Sequence, residues 1–384
     1  MGWLTIWLVR RQKGATMKDK VKILYVVEAM AGGVFTYLTE LIEGIEDEFE
    51  IILAMSIRPN TPKDYRKYFS DKVRVIEMKN MNRNLSIGGV FKSIREIKAI
   101  ADEVNPDIIH LHSSIAGAIG RMAFRKKDNI LYTPHGYSFL MEDMSGLQKA
   151  IFKLVEKMLG RKRYLTVACG KSEWEAGKNI AANNIFISNG VNLEEIDDIK
   201  KHRSNNGAAD EIDKIEENTV FTLGRIVKQK NPKLFNEIAK AMPDYKFVWI
   251  GDGDLRDKLD SPNIEITGWK EKMEAIEEAF KYDIFLLTSR WEGLPIALLE
   301  AMYMKKFCVV SNIVGNRDVV IDGGNGFLCN TKDEFVDRLK QVLEHKINKE
   351  KMIEIAYQTV TDNYNNTIFC NKYKKLYLEV FQGR

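Results

Sequence analysis

The sequence predicts an α/β protein made of two Rossmann-like, doubly wound parallel sheets facing a central cleft. Three observations predict it. Short β-rich apolar runs alternate with amphipathic helical stretches from Lys22 to Cys329, the pattern of repeated strand–helix units. Many of those runs end in glycine-containing turns, as in AMAGGVF, TPHGYSF, SNG, GRIVKQKN and GDGD, where such folds present ligands. The alternation breaks once, over a polar stretch from Asp197 to Asn218, which reads as a linker or exposed insertion between two sheets. A length of 384 residues suits two domains. The expected division is an extension at 1–16, a first domain at 17–190 and a second at 191–363.

In the first half, KILYVVE (Lys22–Glu28) reads as a strand that passes through a glycine turn into the helix TYLTELIEGIE. Strands follow at 50–56 and 73–78, then a helix with Ile87, Val90, Phe91, Ile94, Ile97 and Ile100 on one face. DIIHLH (Asp107–His112) is the fourth strand, 114–124 a small-residue helix and 129–133 the fifth strand. A helix with a basic end spans 145–163, and strands occupy 166–169 and 184–187. In the second half, strands are expected at 219–223, 246–250, 264–266, 284–288, 307–311 and 326–329. Helices are expected at 232–241, 254–259, 271–280, 295–304 and from 332 onward.

Composition excludes several classes. Hydrophobic residues at 45% and charged residues at 29% describe a globular chain, not a disordered one. Cys169, Cys308, Cys329 and Cys370 lack CxxC or CxH spacing, which argues against a zinc ribbon, an iron–sulfur centre or a disulfide scaffold and suits a reducing, cytoplasmic setting. A net charge of +4 is too weak for a dedicated nucleic-acid binder. The charge is uneven: residues 17–190 carry 26 basic and 21 acidic side chains, so the first half is the one suited to an anionic surface. The apolar run Leu4–Val9 is far shorter than the roughly 20 residues of a membrane span, and its arginines follow it. Residues 1–16 therefore read as an upstream extension, with Met17 the more natural start.

The strongest chemical signal is SRWEGLPIALLEAM, in which Glu292 precedes a helix and Glu300 lies inside it. Pro295 suits a first helical turn. The unpaired N–H groups of that helix start suit phosphate, whereas two carboxylates beside it suit sugar or ribose hydroxyls. An isolated E-x₇-E is ordinarily surface charge; the preceding strand and the Gly-Leu-Pro turn set this one apart. GRIVKQKN supplies Arg225 and Lys230 after a strand end, a fork and a point charge for a diphosphate; Lys228 competes for the lysine role. Gly32 and Gly33 would let backbone approach a phosphate or an acceptor. His135 offers a hydrogen bond to a sugar hydroxyl or phosphate. His110 and His112 share one face of a strand, and packing or an acceptor pocket is the favoured reading over metal. Gly251, in GDGD, is a weak dinucleotide fingerprint and a better tight turn beside a ligand. The Thr267–Trp269 turn offers backbone groups to a flat base.

Taken together, AGGVFTYL, DIIHLH, TPHG, ISNGVN, LGRIVKQKN, WIGDGDLRDKL, ITGW, EGLPIALLE and NGFL resemble, in order, the retaining GT-B glycosyltransferases of family 4 that build bacterial surface polysaccharides. The resemblance runs from about Val21 to Phe381. It implies that the first domain binds the acceptor and the second a nucleotide-sugar donor, with UDP the default nucleotide. It implies that Glu300 binds ribose and that Glu292 holds a donor-sugar hydroxyl beside the backbone of Gly293, Leu294, Pro295 and Ile296. Arg225 and Lys230 would hold the diphosphate, Gly33 would stand near the phosphates, His135 would touch the donor sugar, and Trp269 and Lys270 would lie by the base. A helix at about 364–384 would cross back to the first domain. The implied chemistry is hexosyl or N-acetylhexosaminyl transfer to a saccharide or lipid-linked saccharide, with retention, without metal and without a further cofactor.

One departure stands out: Asp318 occupies a place where the family often has glutamate. The segment 151–164, IFKLVEKMLGRKRY, alternates apolar and basic groups, which suits peripheral contact with an anionic membrane face as well as an ordinary solvated helix. Two other functions fit the same fold: a sugar-nucleotide 2-epimerase, and a non-catalytic sugar-nucleotide-binding subunit of a transferase.

Overall fold

The computed structural model describes residues 20–28, 30–82, 86–124, 129–140, 144–160, 164–205 and 216–383. The extension at 1–16, the basic stretch 161–163 and positions 206–215 of the expected linker lie outside them.

The first sheet has seven strands, β1 (Lys22–Val27), β2 (Glu50–Ser56), β3 (Val73–Met78), β4 (Ile108–His112), β5 (Ile130–Thr133), β6 (Leu165–Ala168) and β7 (Asn183–Phe186). The second has six, β8 (Glu216–Leu223), β9 (Phe247–Ile250), β10 (Ile264–Ile266), β11 (Tyr282–Leu287), β12 (Phe307–Ser311) and β13 (Phe327–Cys329). The helices are α1 (Gly33–Ile45), α2 (Ile87–Val104), α3 (Ser114–Ala123), α4 (Gly146–Gly160), α5 (Lys171–Gly177), α6 (Leu193–Asn205), α7 (Pro232–Lys240), α8 (Lys272–Ala279), α9 (Ile296–Tyr303), α10 (Asn316–Val319), α11 (Lys332–Leu343), α12 (Lys349–Asn363) and α13 (Asn366–Phe381).

Strand orders are β3-β2-β1-β4-β5-β6-β7 and β10-β9-β8-β11-β12-β13, and all pairings are parallel. Both faces of each sheet are covered, which is why the central strands read as unbroken apolar runs. Ile23, Tyr25 and Val27 face α1 and α13. Leu24 and Val26, on alternate positions, face α2 and α3. In each sheet the strand order reverses between two neighbours, β1 and β4 in the first and β8 and β11 in the second. Ligands of such sheets bind beyond the carboxyl ends of the strands at that reversal.

Helix ends follow local chemistry. Ser86 caps α2 by accepting from Gly89 N, and Glu271 with Glu274 forms a capping box on α8. After α12 the chain returns: Val191 N donates to Tyr364 O at 2.8 Å and Asn366 N to Val191 O at 2.9 Å. Helix α13 then packs on the first sheet, where Tyr25 and His110 meet the Tyr377 hydroxyl, each at 2.8 Å.

Three expectations are corrected. The start of the supposed linker is helical, since α6 runs to Asn205 and buries Ile196 and Ile199. The helix expected at 254–259 is one short turn of 3₁₀ helix, Arg256–Lys258. Helices α5 and α10, neither longer than seven residues, were not anticipated.

Candidate active site

Four loops at the carboxyl ends of strands meet across the cleft, those after β1 and β5 of the first sheet and those after β8 and β11 of the second. The loop after β8 turns at Gly224, whose φ is 135°, passes Arg225 and closes on a short turn, Lys228–Lys230. The loop after β11 carries Ser289 to Pro295 and opens into α9. These two loops are stitched together: Arg290 N donates to Gln229 O at 2.8 Å, Gln229 Nε2 donates to Trp291 O at 3.1 Å, and Thr288 Oγ1 donates to Lys230 O at 2.9 Å.

At their junction Lys230 Nζ lies 2.8 Å from Glu292 Oε1. Ser289 Oγ donates to the same oxygen at 2.8 Å, and Gln229 Nε2 to Oε2 at 3.1 Å. Both side chains are largely buried. A carboxylate held by three donors keeps its orientation, and an ammonium facing the cleft beside it supplies positive charge at a fixed point. Glu300 sits one turn inside α9 and is buried. Burial raises its pKa, Lys272 and Lys230 draw it back down, and Glu195 adds to the rise. Its electrostatic neighbours thus include the same Lys230 that holds Glu292.

Arg225 is partly buried, and burial together with Arg58 pulls its pKa down against the pull of Asp254. Its guanidinium reaches the first domain: a Cβ placed on Gly32 would lie 3.4 Å from Arg225 Nη2. Gly32 also holds φ at 56°, a region that favours glycine. Gly33, the first residue of α1, faces open space, with nothing within 4 Å of a Cβ there. Gly293 approaches the first domain as well, where its Cβ position is 3.5 Å from Gly136 N and 3.7 Å from the His135 carbonyl carbon. Leu294 and Ile296 are buried against the second core, and Pro295 takes the N-cap position of α9.

The structure thus brings together Arg225, Lys230, Glu292, Glu300, Gly32, Gly33 and the backbone from Gly293 to Ile296. The remaining sequence-predicted residues are placed differently. The His135 imidazole turns inward, with Nε2 2.9 Å from His112 Nδ1 and Nδ1 3.5 Å from Cys169 Sγ. Burial lowers its pKa to about 3, so the ring is neutral, and it is the backbone of residues 135 and 136 that borders the second domain. Gly251 backs onto the Gly224 carbonyl, 2.3 Å from its Cβ position, and bridges Gly268, so it supports the Arg225 turn from behind. Trp269 is 61% exposed, and Lys270 pairs with Glu278 at 3.4 Å. His110 is a core residue bonded to Tyr377 and Thr133. Among the described residues no group of three or more His, Cys, Asp and Glu is arranged to hold a metal ion.

Sequence reasoning missed five contributors. Gln229, between the two cations it did single out, holds Glu292. Lys272 ties α8 to Glu40 on α1. Glu28 and Arg58 pair at the ends of β1 and β2; the position of Glu28 at a strand terminus beside the glycine turn was the available signal. Glu173, which bonds the backbone of Gly136 at 2.6 Å, lies just after a strand end, in a stretch left unassigned.

Comparison with known proteins gives the family and the fold. Residues 31–195 match the family model described as Glycosyltransferase Family 4, and residues 208–359 the one described as Glycosyl transferases group 1. The chain is 30% identical to the UDP-Gal:alpha-D-GlcNAc-diphosphoundecaprenol alpha-1,3-galactosyltransferase of Escherichia coli, over 82% of this chain and 86% of that one. It is 26% identical to the O-antigen biosynthesis glycosyltransferase WbnH of Escherichia coli, over 88% and 95%. Among solved structures, sucrose-phosphate synthase from Thermosynechococcus elongatus shares the fold with a TM-score of 0.79 at 15% identity, covering 95% of this chain and 100% of that one. Anabaena HepE in complex with UDP and glucose gives 0.72 at 18% identity, covering 93% and 99%.

Proposed function

The chain belongs to the GT-B glycosyltransferases of bacterial surface-polysaccharide synthesis, and on that premise we propose that it moves a sugar from a UDP-sugar to a hydroxyl of a lipid-linked saccharide, with retention and without metal. The observation that carries the reading is the Lys230–Glu292 contact of 2.8 Å at the reversal point of the second sheet, with Arg225 reaching toward Gly32 across the cleft. A nucleoside diphosphate seated there meets two cations and the N–H groups at the start of α9. Charge grows on the diphosphate as the bond to the sugar breaks, so Arg225 and Lys230 stabilise the transition state more than the ground state. Glu292, anchored by Ser289 and Gln229, orients a donor-sugar hydroxyl. Glu300 accepts from the ribose hydroxyls. The acceptor hydroxyl enters from the first domain and attacks the face that the diphosphate leaves. The related E. coli enzyme bears a name that specifies UDP-galactose and a diphosphoundecaprenol-linked acceptor, which supports UDP and a lipid-linked acceptor here.

A lipid-linked acceptor calls for contact with a membrane surface, and α4 supports that part of the reading. Leu147, Ile151, Leu154 and Met158, spaced along one helical face, are each more than half exposed. The inward side of the helix carries Glu156, which pairs with Arg121 at 2.8 Å and accepts from Tyr132 at 3.0 Å. The usual arrangement of a surface helix is therefore reversed. Ile87 and Phe91 add exposed apolar area at the start of α2, and Lys92, Arg95, Lys153 and Lys157 lie exposed around both patches. No helix among the described residues is long and apolar enough to cross a membrane; the contact proposed is a peripheral one.

The test is a panel of nucleotide sugars scored by thermal stabilisation, followed by transfer from the best binder to a synthetic polyprenyl-diphosphate saccharide with and without EDTA. Acceptor-dependent product that survives EDTA is expected. A new sugar nucleotide formed without acceptor would replace this reading with epimerisation, and binding without turnover would replace it with a non-catalytic subunit.

A further inference from the structure

We infer that Asp318 and Ser172 are positioning residues that hold the Glu292–Gly293 loop of the second domain in register with the His135–Gly136 loop of the first. The inference rests on the donor reading above for its kinetic consequence, and on geometry for its existence.

Asp318, on α10, crosses to the start of α5. Ser172 N donates to Asp318 Oδ1 at 3.1 Å and Oδ2 at 2.9 Å, and the Ser172 hydroxyl donates to Oδ1. Tyr364 OH donates to the Asp318 carbonyl at 2.9 Å, which fixes α10 from its other side. The seat is tight, because a Cβ on Gly170 would lie 2.6 Å from Asp318 Oδ2. A short acid at position 318 suits it.

On either side of this contact stands one of the two loops. The residue after Ser172 is Glu173, fully buried. Its carboxylate accepts from Gly136 N at 2.6 Å and Cys169 N at 2.7 Å, which secures two successive left-handed residues, His135 at φ 55° and Gly136 at φ 92°. On the other side, α10 begins at Gly315, whose Cβ position is 2.3 Å from Gly293 O. Only glycine, with φ at 88°, allows that approach. A continuous chain of contacts therefore runs from Gly293 through Gly315, Asp318, Ser172 and Glu173 to Gly136, and closes where Gly136 meets Gly293 again. None of Asp318, Ser172 or Glu173 needs to touch donor or acceptor. Their effect is on the spacing of two loops that border the donor, so losing that spacing weakens the hold on the donor in ground and transition state alike. The same closure excludes water, which would otherwise take the sugar in place of the acceptor.

The experiment compares Asp318→Ala, Ser172→Ala and the double variant with the full-length wild-type chain. Small-angle scattering of the ligand-free proteins reads the domain spacing without any assumption about the substrate. An increased radius of gyration is expected in Asp318→Ala, with a smaller increase in Ser172→Ala, which keeps the two backbone hydrogen bonds; an unchanged radius in Asp318→Ala overturns the inference. With the donor found by the panel, KM is expected to rise about tenfold while kcat changes less than about threefold, and the share of donor lost to hydrolysis is expected to grow. The double variant should be no worse than Asp318→Ala, which already removes all three hydrogen bonds, of which Ser172→Ala removes only the hydroxyl's. An unchanged KM, or effects that simply add, overturns it. A panel with no binder would sink the donor reading while the scattering result still decides this one.

Discussion

Lys272 Nζ lies 2.8 Å from Glu40 Oε1, so the first residue of α8 in the second domain is held by α1 of the first. Glu195, on α6, meets the same ammonium at 2.6 Å, and the second Glu40 oxygen is buried without a hydrogen-bond partner. Burial raises the Glu40 pKa to about 7 from an ordinary 4.5, against the pull of Lys272.

A carboxyl whose folded pKa lies above its unfolded one favours folding at low pH. Its contribution is complete below about 4.5 and is lost as pH rises through about 7. Glu173, also raised to about 7 by burial, acts with the same sign. Between pH 5 and 8, each group is expected to lower the unfolding free energy by up to ~3 kcal/mol. Glu40→Gln should shrink that decline, measured by urea unfolding at the two pH values; an unchanged pH dependence would show that Glu40 does not titrate in this range.

Arg225→Ala should lower kcat by about 10²–10³ if the guanidinium stabilises the leaving diphosphate. Glu292→Ala should cut turnover strongly while leaving the fold intact, because the residue stands in a loop and its loss frees Lys230 rather than opening a core. Steady-state kinetics with matched circular dichroism checks both. Near-normal turnover in the Glu292 variant would remove that residue from the site.

Gly32→Ala places a methyl group 3.4 Å from Arg225 Nη2 at a residue with φ of 56°. Backbone strain of roughly 1–3 kcal/mol is expected, with a shift of the guanidinium. The activity loss should exceed what the change in Tm explains. Gly33→Ala, where the same atom meets open space, is the matched control for a steric effect in the unliganded protein.

Leu154→Glu with Met158→Glu should abolish co-sedimentation with vesicles rich in anionic lipid. Because both side chains are exposed, stability should change by less than about 0.5 kcal/mol per site. Binding by the wild type that is insensitive to salt would remove the lysines from the interaction and leave the apolar face to account for it.

The strand framework was legible because strands buried on both faces announce themselves as apolar runs closed by glycine turns, from KILYVVE to FLC. The cluster after β8 and β11 was visible for a related reason: Arg225 and Lys230 stand in the loop after β8, Glu292 in the loop after β11, and Glu300 in the helix that this loop opens into. Helix α6 was hidden because its core contacts, Leu193, Ile196 and Ile199, are confined to its first two turns, and KKHRSN beyond them looks like solvent-facing loop. The inward turn of His135 follows from a left-handed backbone that a histidine rarely adopts, and no local pattern encodes it. Lys272–Glu40 and Asp318–Ser172 join residues 232 and 146 positions apart. Contacts at such separation are written in the topology, and a reader of the linear string meets two ordinary surface charges.

Because Tyr373 and Tyr377 on α13 complete the core under β1 and β4, the amino-terminal lobe borrows a wall that follows the whole second sheet in the chain. During synthesis on the ribosome that lobe must wait, with Tyr25, Tyr37 and His110 exposed, until residues 366–381 emerge. A stop codon between α12 and α13 would leave the second lobe complete and the first permanently unfinished.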